Sequence, residues 1–435
     1  MKKIVQLGAA VMLMICSWFY SGNTASVYAE EMLQTEDGIY YEITEQNTIR
    51  IIGAKSSLAE MQIPSEIDGV PVTQIGDYAF LDHTRLRSIV LPNSLQEIGN
   101  YAFLDCSRLE SIQIPATLQN VGWGILSDTP WLTEQEEEYV IIGNQILIAY
   151  KGTSEHVVIP EGVRVIAGFT FEKNMTIQSV QLPDSLTSLN AYAFAGCRNL
   201  QTVQLPFGLQ WIGDNAFFEC KQLQQLTIPD SVTEIGERAF YQCTALQTVC
   251  LPNELREISS GLFYCCAALK EIQLPDSVES IAAMAFQNCT SLRSVVLSEH
   301  VYSIGQDAFA NCDSLQQIVL KNANCILFQT ETTFPVQAIV VSENSGSVKT
   351  YADSYQRAFV DLPVLYGDVD EDGNVMVEDA VLILTAYARS SAGLQSQLSD
   401  RQKIAADYNQ DGSIQVEDAV SVLTYYARRS AGLED

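Results

Sequence analysis

The chain has 435 residues, 47% of them hydrophobic, and 24 Lys and Arg stand against 53 Asp and Glu for a formal net charge of −29. Neutralising phosphate or anionic lipid needs clustered cations, so this balance excludes a nucleic-acid-binding or polybasic membrane-binding class. The apolar fraction excludes a wholly disordered chain.

Residues 1–29 read as a secretory signal peptide. Lys2 and Lys3 give the positive start, Ile4 to Tyr20 is mostly apolar, and Val27-Tyr28-Ala29 ahead of Glu30 offers small residues at a cleavage point. The apolar run is short for a membrane span and is interrupted by Gln6, Gly8 and Ser17. Ile15 is too large to precede a lipidated Cys16. The expectation is an exported chain with no transmembrane anchor after signal removal, secreted or held at the cell surface through a partner.

A repeat fills most of the remaining chain. Leu182-Pro183, Leu205-Pro206, Ile228-Pro229, Leu251-Pro252 and Leu274-Pro275 recur every 23 residues, and Leu91-Pro92 and Ile114-Pro115 keep the same step upstream. Ile75, Ile98, Ile212 and Ile235 belong to a second column, and Phe80, Phe103, Phe194, Phe217 and Phe240 to a third, ten units in all. The unit L-x-x-V-x-L-P-x-x-L-x-x-I-G-x-x-A-F-x-x-C predicts one short strand stopped by Pro, which cannot donate to a ladder, and then a compact return. One unit alone cannot bury its apolar face, so the units must stack and share a core. At one strand spacing per unit, ten units give a ramp about 45 Å long.

The pattern resembles the 23-residue leucine-rich repeat of BspA-like surface proteins over roughly residues 36–360. That resemblance implies a curved repeat solenoid with irregular or short helical returns, and a binding or adhesion role.

Cys106, Cys197, Cys220, Cys243, Cys266, Cys289 and Cys312 share one repeat column, whereas Cys250, Cys265 and Cys325 lie off it. The column fits a ladder of buried thiols; pairing between stacked neighbours is the other reading. The register breaks near residues 127–157, where Tyr139-Val-Ile-Ile and Ile146-Leu-Ile-Ala flank Gly143-Asn144 as a hairpin, behind a solvated run of Glu134, Glu136, Glu137 and Glu138. Residues 30–365 therefore form one solenoid with an N-terminal cap, the insert, and a closing cap over 321–365.

Between the core columns each strand should expose two positions. They read Gln201-Thr202, Gln224-Gln225, Arg293-Ser294 and Gln316-Gln317, and beside them runs a further exposed column that includes Gln181, Gln204, Thr227, Gln273, Val296 and Val319. This strip is rich in Gln, Ser and Thr and nearly free of the chain's acidity. Amides and hydroxyls suit a polar, uncharged ligand such as a glycan or an extended peptide, and Gln181, Gln201, Gln204, Gln224, Thr227 and Gln273 are the candidate ligand residues. Trp211 lies next to this strip in sequence and offers a ring for sugar stacking.

The C-terminal segment carries a second duplication, offset by 39 residues, in which Asp368, Asp370, Asp372 and Asp379 correspond to Asp407, Asn409, Asp411 and Asp418. Oxygen ligands fall at loop positions 1, 3, 5 and 12, with Gly373 and Gly412 at the tight turn of position 6. Asn374 and Ser413 supply the position-7 carbonyl, and Gln415 can act at position 9 through water, where Met376 has no suitable oxygen. Oxygens in that spacing point to two calcium ions. Each loop runs into an apolar helix, at Ala380 to Tyr387 and Ala419 to Tyr426, and Ser399-Asp400 caps a short helix between the halves.

A loop leading into a helix, twice, resembles a type I dockerin over residues 366–435. The resemblance implies a small all-α calcium-binding domain that docks to a cohesin on the scaffolding protein of a cellulosome-type, polysaccharide-degrading complex. It places cohesin contacts at Val377, Glu378 and Ala380 and at Val416, Glu417 and Ala419. The shared Val-Glu-Asp-Ala of the halves implies that either can present the same contact. Two functions compete: a non-catalytic binding subunit, and a carbohydrate-active hydrolase of the same complex. Repeat, insert and cap account for nearly everything before residue 366, which favours binding.

Overall fold

The computed structural model describes residues 33–431 and 433. The signal-peptide expectation lies outside the described residues.

Most turns of the solenoid contribute two short strands rather than one. The first ladder runs through Ser179–Gln181 and Thr202–Gln204, and its other segments include Gln225–Thr227 with Thr248–Cys250 and Ser294–Leu297 with Gln317–Leu320. The second runs through Val165–Ile166, Ser188–Leu189, Trp211–Ile212 and Glu234–Ile235. All these pairs are parallel and in register, Ser179 opposite Thr202 and Ser188 opposite Trp211, which is the 23-residue period realised as stacking. The predicted compact return is therefore itself a ladder at the Ile column. It holds two residues per turn, too few for an alternating pattern to announce it.

The returns of the regular repeats are turns without helix. In one of them Arg238 (φ 55°) and Gln242 (φ 58°) flank Phe240, and the same two positions are left-handed in the turns on either side. Pro ends the strand as expected and then serves the turn: Leu209 N donates to Pro206 O at 3.0 Å, and Val232 N to Pro229 O at 3.0 Å.

Three columns build the core. Phe171, Phe194, Phe217, Phe240, Phe263, Phe286 and Phe309 stack with centroids 4.8–5.7 Å apart and planes within 17° of parallel. The Ile column packs beside them, buried, and so does the Leu column, in which Leu251 and Leu274 are only partly buried. The cysteines of the repeat column are free, buried thiols. Each donates to the carbonyl of the preceding turn's Phe, as Cys197 does to Phe171 at 3.0 Å and Cys243 to Phe217 at 3.2 Å. A small apolar side chain with one weak donor thus satisfies a buried carbonyl.

The insert is a hairpin, with Tyr139–Ile142 antiparallel to Ile146–Tyr150, and its second strand starts the next stretch of the second ladder against Val165–Ile166. It comes after α1 (Pro130–Thr133) and the exposed glutamates. Here the buried core divides into one cluster from Ile39 to Ala167 and another from Leu147 to Tyr351. The N-terminal cap is an antiparallel meander of Leu33–Gln34, Ile39–Ile43 and Ile49–Ala54. The closing cap continues the ladders instead of ending them: Ile339–Ser342 and Phe359–Asp361 extend the first, and Ile326–Leu327 extends the second. α2 (Gly346–Ser354) closes it with buried Val348, Tyr351 and Ala352.

The C-terminal module holds α3 (Val377–Ser391), α4 (Asp400–Ala406) and α5 (Val416–Ser430). Val369, Val375, Ala380, Ile383, Ala406, Ala419 and Val422 form its own small core. Ser399 caps α4 as expected, its Oγ accepting from Gln402 N at 3.1 Å. The module packs directly on the end of the solenoid. Ile404 joins Val319, Ile339, Val341 and Val360 in one cluster, and Arg401 donates to Asp361 O at 2.6 Å and Pro363 O at 2.7 Å. Among the described residues no helix is long and apolar enough to cross a membrane.

Candidate metal loops and the surfaces around them

The two acidic loops close on themselves in the same way. In the first, Asp372 N donates to Asp368 Oδ1 at 3.0 Å and to Asp370 Oδ1 at 3.1 Å, and Gly373 N donates to Asp368 Oδ2 at 2.9 Å. In the second, Asp411 N donates to Asp407 Oδ1 and Asn409 Oδ1, both at 3.0 Å, and Gly412 N donates to Asp407 Oδ2 at 2.8 Å. The last carboxylate of each loop reaches back over it. Asp379 accepts from Val369 N at 2.7 Å and Met376 N at 2.8 Å; Asp418 accepts from Asn409 N at 3.2 Å and Gln415 N at 2.8 Å. Position 12 therefore both closes the loop and starts the helix.

These bonds gather negative charge. One oxygen each of Asp368, Asp370 and Asp372 lies within 4.8 Å of the others. Burial pushes the Asp407 carboxyl up to about 7, and the neighbouring Asp418 and Asp411 carboxylates add to it. Burial likewise raises Asp418, and burial with the charges of Asp379, Asp372 and Asp368 raises Asp370. Convergent hard oxygens whose charges disfavour one another suit a divalent cation with oxygen preference.

Asn374 N donates to Asp372 Oδ1 and Ser413 N to Asp411 Oδ1, each at 2.8 Å, and Gln415 sits at the start of α5. Val377, Glu378, Val416 and Glu417 are exposed on the first turns of α3 and α5. Ala380 and Ala419, grouped with them in sequence, are buried in the module core and cannot touch a partner. They start the inward face of each helix, three residues past the Val. The outward face continues instead through Val381 and Leu384 on α3 and Val420 and Leu423 on α5. The two stripes match, at 40, 56 and 39% exposure for Val377, Val381 and Leu384 and 40, 55 and 39% for Val416, Val420 and Leu423. Their i, i+4, i+7 spacing was available to find them.

On the solenoid, Gln181, Gln201, Gln204, Gln224 and Thr227 are exposed along the first ladder. Gln273 is exposed one turn beyond Cys250, where residues 271–273 form no strand. Ser294, Gln317 and Val319, read as exposed members of the same strip, are buried because the C-terminal module covers that end. Trp211 is displaced from the strip: the Pro206 turn carries it to the second ladder, between Ser188 and Glu234. A feature not read from the sequence is an aromatic edge on the turns, where Tyr78 stacks on Tyr101, Trp123 meets Tyr192, and Phe218, Tyr241 and Tyr264 stack in line. Several of its rings occupy the position two residues before the Phe column, a periodic signal that the stronger core columns mask.

Stacked 23-residue turns with parallel ladders and a shared Leu, Ile and Phe core define a leucine-rich repeat protein. The chain belongs to the BspA type leucine rich repeat family, whose repeat region matches residues 41–136, 141–230 and 210–332 in six copies. Among solved structures it is similar to a leucine-rich repeat protein from Bacteroides ovatus, at 25% identity over 77% of this chain and 100% of that one with a TM-score of 0.34. It is also similar to a leucine rich cell surface protein from Faecalibacterium prausnitzii, at 22% identity over 72% and 97% with a TM-score of 0.29. A third is the pneumococcal vaccine antigen PcpA, at 16% identity over 78% and 100% with a TM-score of 0.27. No curated protein matches the chain.

Proposed function

We propose that this is an exported, non-catalytic binding protein whose residues 366–435 form a type I dockerin. In this reading the module holds two calcium ions and docks to a cohesin on the scaffold of a cellulosome-type, polysaccharide-degrading assembly. The observation that carries the reading is the pair of loop–helix halves with matching exposed apolar stripes on α3 and α5. Asp368, Asp370, Asp372, the Asn374 carbonyl and Asp379 would hold one ion; Asp407, Asn409, Asp411, the Ser413 carbonyl and Asp418 would hold the other, with Gln415 acting through water. Calcium supplies the positive charge that lets these carboxylates converge, so it couples to the folding of the module.

Chelation should raise amide exchange across residues 366–431 and abolish cohesin capture while the solenoid stays protected. Unchanged exchange in the module would refute the calcium assignment. Changing Val377 and Glu378 alone should leave cohesin binding largely intact, because Val416 and Glu417 present the same contact; complete loss would refute the two-faced reading. The Gln-rich strand face would take a glycan or an extended protein segment. Residues 30–435 probed on glycan and protein arrays, with Gln204→Ala and Gln224→Ala as controls, test that face directly. A reducing-sugar assay on plant polysaccharides separates this reading from the hydrolase alternative.

A further inference from the structure

The two loops are close copies in sequence but not in surroundings. A Cβ at Gly373 would meet nothing within 4 Å, whereas one at Gly412 would lie 2.6 Å from the backbone oxygen of Arg293. Arg293 Nη1 donates to Ser413 Oγ at 3.1 Å, and Gln317 Nε2 donates to Asp407 Oδ2 at 2.5 Å. Asp407 thus has the intraloop bonds of its counterpart Asp368 and one more from the solenoid. Gln317 is 1% exposed and lies opposite Ser294 in the ladder. Gln317 Oε1 and Ser294 Oγ are buried without hydrogen-bond partners. Buried polar atoms are normally satisfied, so two with spare capacity beside an acidic loop mark a polar site shared by solenoid and loop.

We propose that Arg293 and Gln317 form the outer shell of the second calcium loop, so that this loop is a joint site of module and solenoid while the first belongs to the module alone. The proposal rests on reading residues 368–379 and 407–418 as calcium loops. Outer-shell donors fix the orientation of a ligating carboxylate, and their loss weakens metal binding by about 10–100-fold. Linkage is reciprocal: whatever factor docking adds to calcium affinity at the second loop, calcium adds to docking. Filling the second loop therefore tightens the joint between the module and the strand face.

Calorimetric titration of calcium into the full chain tests this. Gln317→Leu and Arg293→Ala should each weaken one of two calcium sites by about 10–100-fold and leave the other unchanged. In a parallel exchange experiment, calcium should increase protection of the amides of Ser294–Leu297 and Gln317–Leu320 in the wild type and in Asp368→Ala, but not in Asp407→Ala. Two sites that neither variant alters would overturn the proposal and leave the calcium reading standing. So would calcium-dependent protection of the strands lost equally in Asp368→Ala. A wild-type chain that takes up no calcium would overturn the reading and the proposal together. Arg293 is only partly buried, so its variant keeps the test usable should Gln317→Leu disturb the ladder.

Discussion

Replacing Phe240 by alanine measures how far the solenoid is held by nearest-neighbour stacking. Its ring is fully buried, 5.7 Å from Phe217 and 5.7 Å from Phe263. Truncating a core Phe costs about 3–5 kcal/mol, depending on how well the site collapses. Collapse is restricted here because backbone bonds fix the spacing on both sides: Phe217 N donates to Ala239 O at 2.8 Å and Phe240 N to Leu262 O at 3.1 Å. The cost should fall near the upper end, about 5 kcal/mol, which is three to four powers of ten in the opening equilibrium. Stability in a solenoid is a sum of repeat and interface terms, so the loss should spread along contiguous stacking and stop where stacking stops. That boundary is the insert, where Leu126 interrupts the Phe column and the buried core divides into two clusters. Hydrogen exchange by mass spectrometry should show lost protection from about Phe171 to Tyr351 and unchanged protection from Ile49 to Ile112. Uniform loss across both stretches, or loss confined to the turn of Phe240, would refute the reasoning.

The thiol column and the acidic loops each carry a prediction of their own. Burial pushes the thiols of Cys197, Cys243 and Cys312 up to about 12, and those of Cys220, Cys266 and Cys289 well above their usual range. At pH 8 iodoacetamide should therefore modify exposed Cys250 and spare the column until the chain is denatured; ready labelling of Cys243 would refute the buried ladder. Because these folded-state values lie above the unfolded value of 9.0, the stabilisation is complete below pH 9 and is lost as pH rises towards 12. Circular dichroism over that range should show the solenoid weakening upwards. In the loops, Gly373 (φ +87°) and Gly412 (φ +81°) carry the same backbone strain on substitution, but only at Gly412 would a Cβ also strike Arg293. Gly412→Ala should therefore detach the module from the solenoid, read as exchange at Gln317–Leu320, and Gly373→Ala should not.

What the sequence made legible is what repeats with burial. The Leu, Ile, Phe and Cys columns show through because each position meets its own copy one turn away, and stacking selects the same side chain every time. The second ladder was not legible, since Trp211–Ile212 gives two residues where a strand pattern needs four or more. Arg238 and Gln242 likewise give no hint of their left-handed backbone, which neighbouring turns impose through hydrogen bonds rather than local preference. The two acidic loops were legible as loops that close on their own carboxylates, because that spacing is local chemistry. The covered end of the Gln strip was not: Ser294 and Gln317 read like their exposed counterparts, and only the placement of residues some 90 to 120 positions later distinguishes them. Ala380 was misplaced for a smaller reason: one residue along a helix turns by about 100°, which carries Ala380 off the exposed face of Val381 and into the module core.

The matching stripes on α3 and α5 set the last prediction. The solenoid contacts the module through α4 and the second loop, and leaves Val381 and Leu384 as exposed as Val420 and Leu423. Docking thus breaks the symmetry of the two loops without breaking the symmetry of the two outer faces. Under the proposed cohesin-binding function, Leu384→Asp alone should leave cohesin affinity within a few-fold, because the partner can turn and use α5; Leu423→Asp alone should do the same through α3. The double variant removes both faces and should cost at least the 2 kcal/mol of an interface hot spot, about 30-fold or more. Both leucines are about 40% exposed in the module, so neither change creates a buried charge, and circular dichroism of the double variant should match the wild type. Loss of affinity in one single variant but not the other would mean that the solenoid dictates the orientation of the partner. The asymmetry now confined to the loops would then extend to the helices.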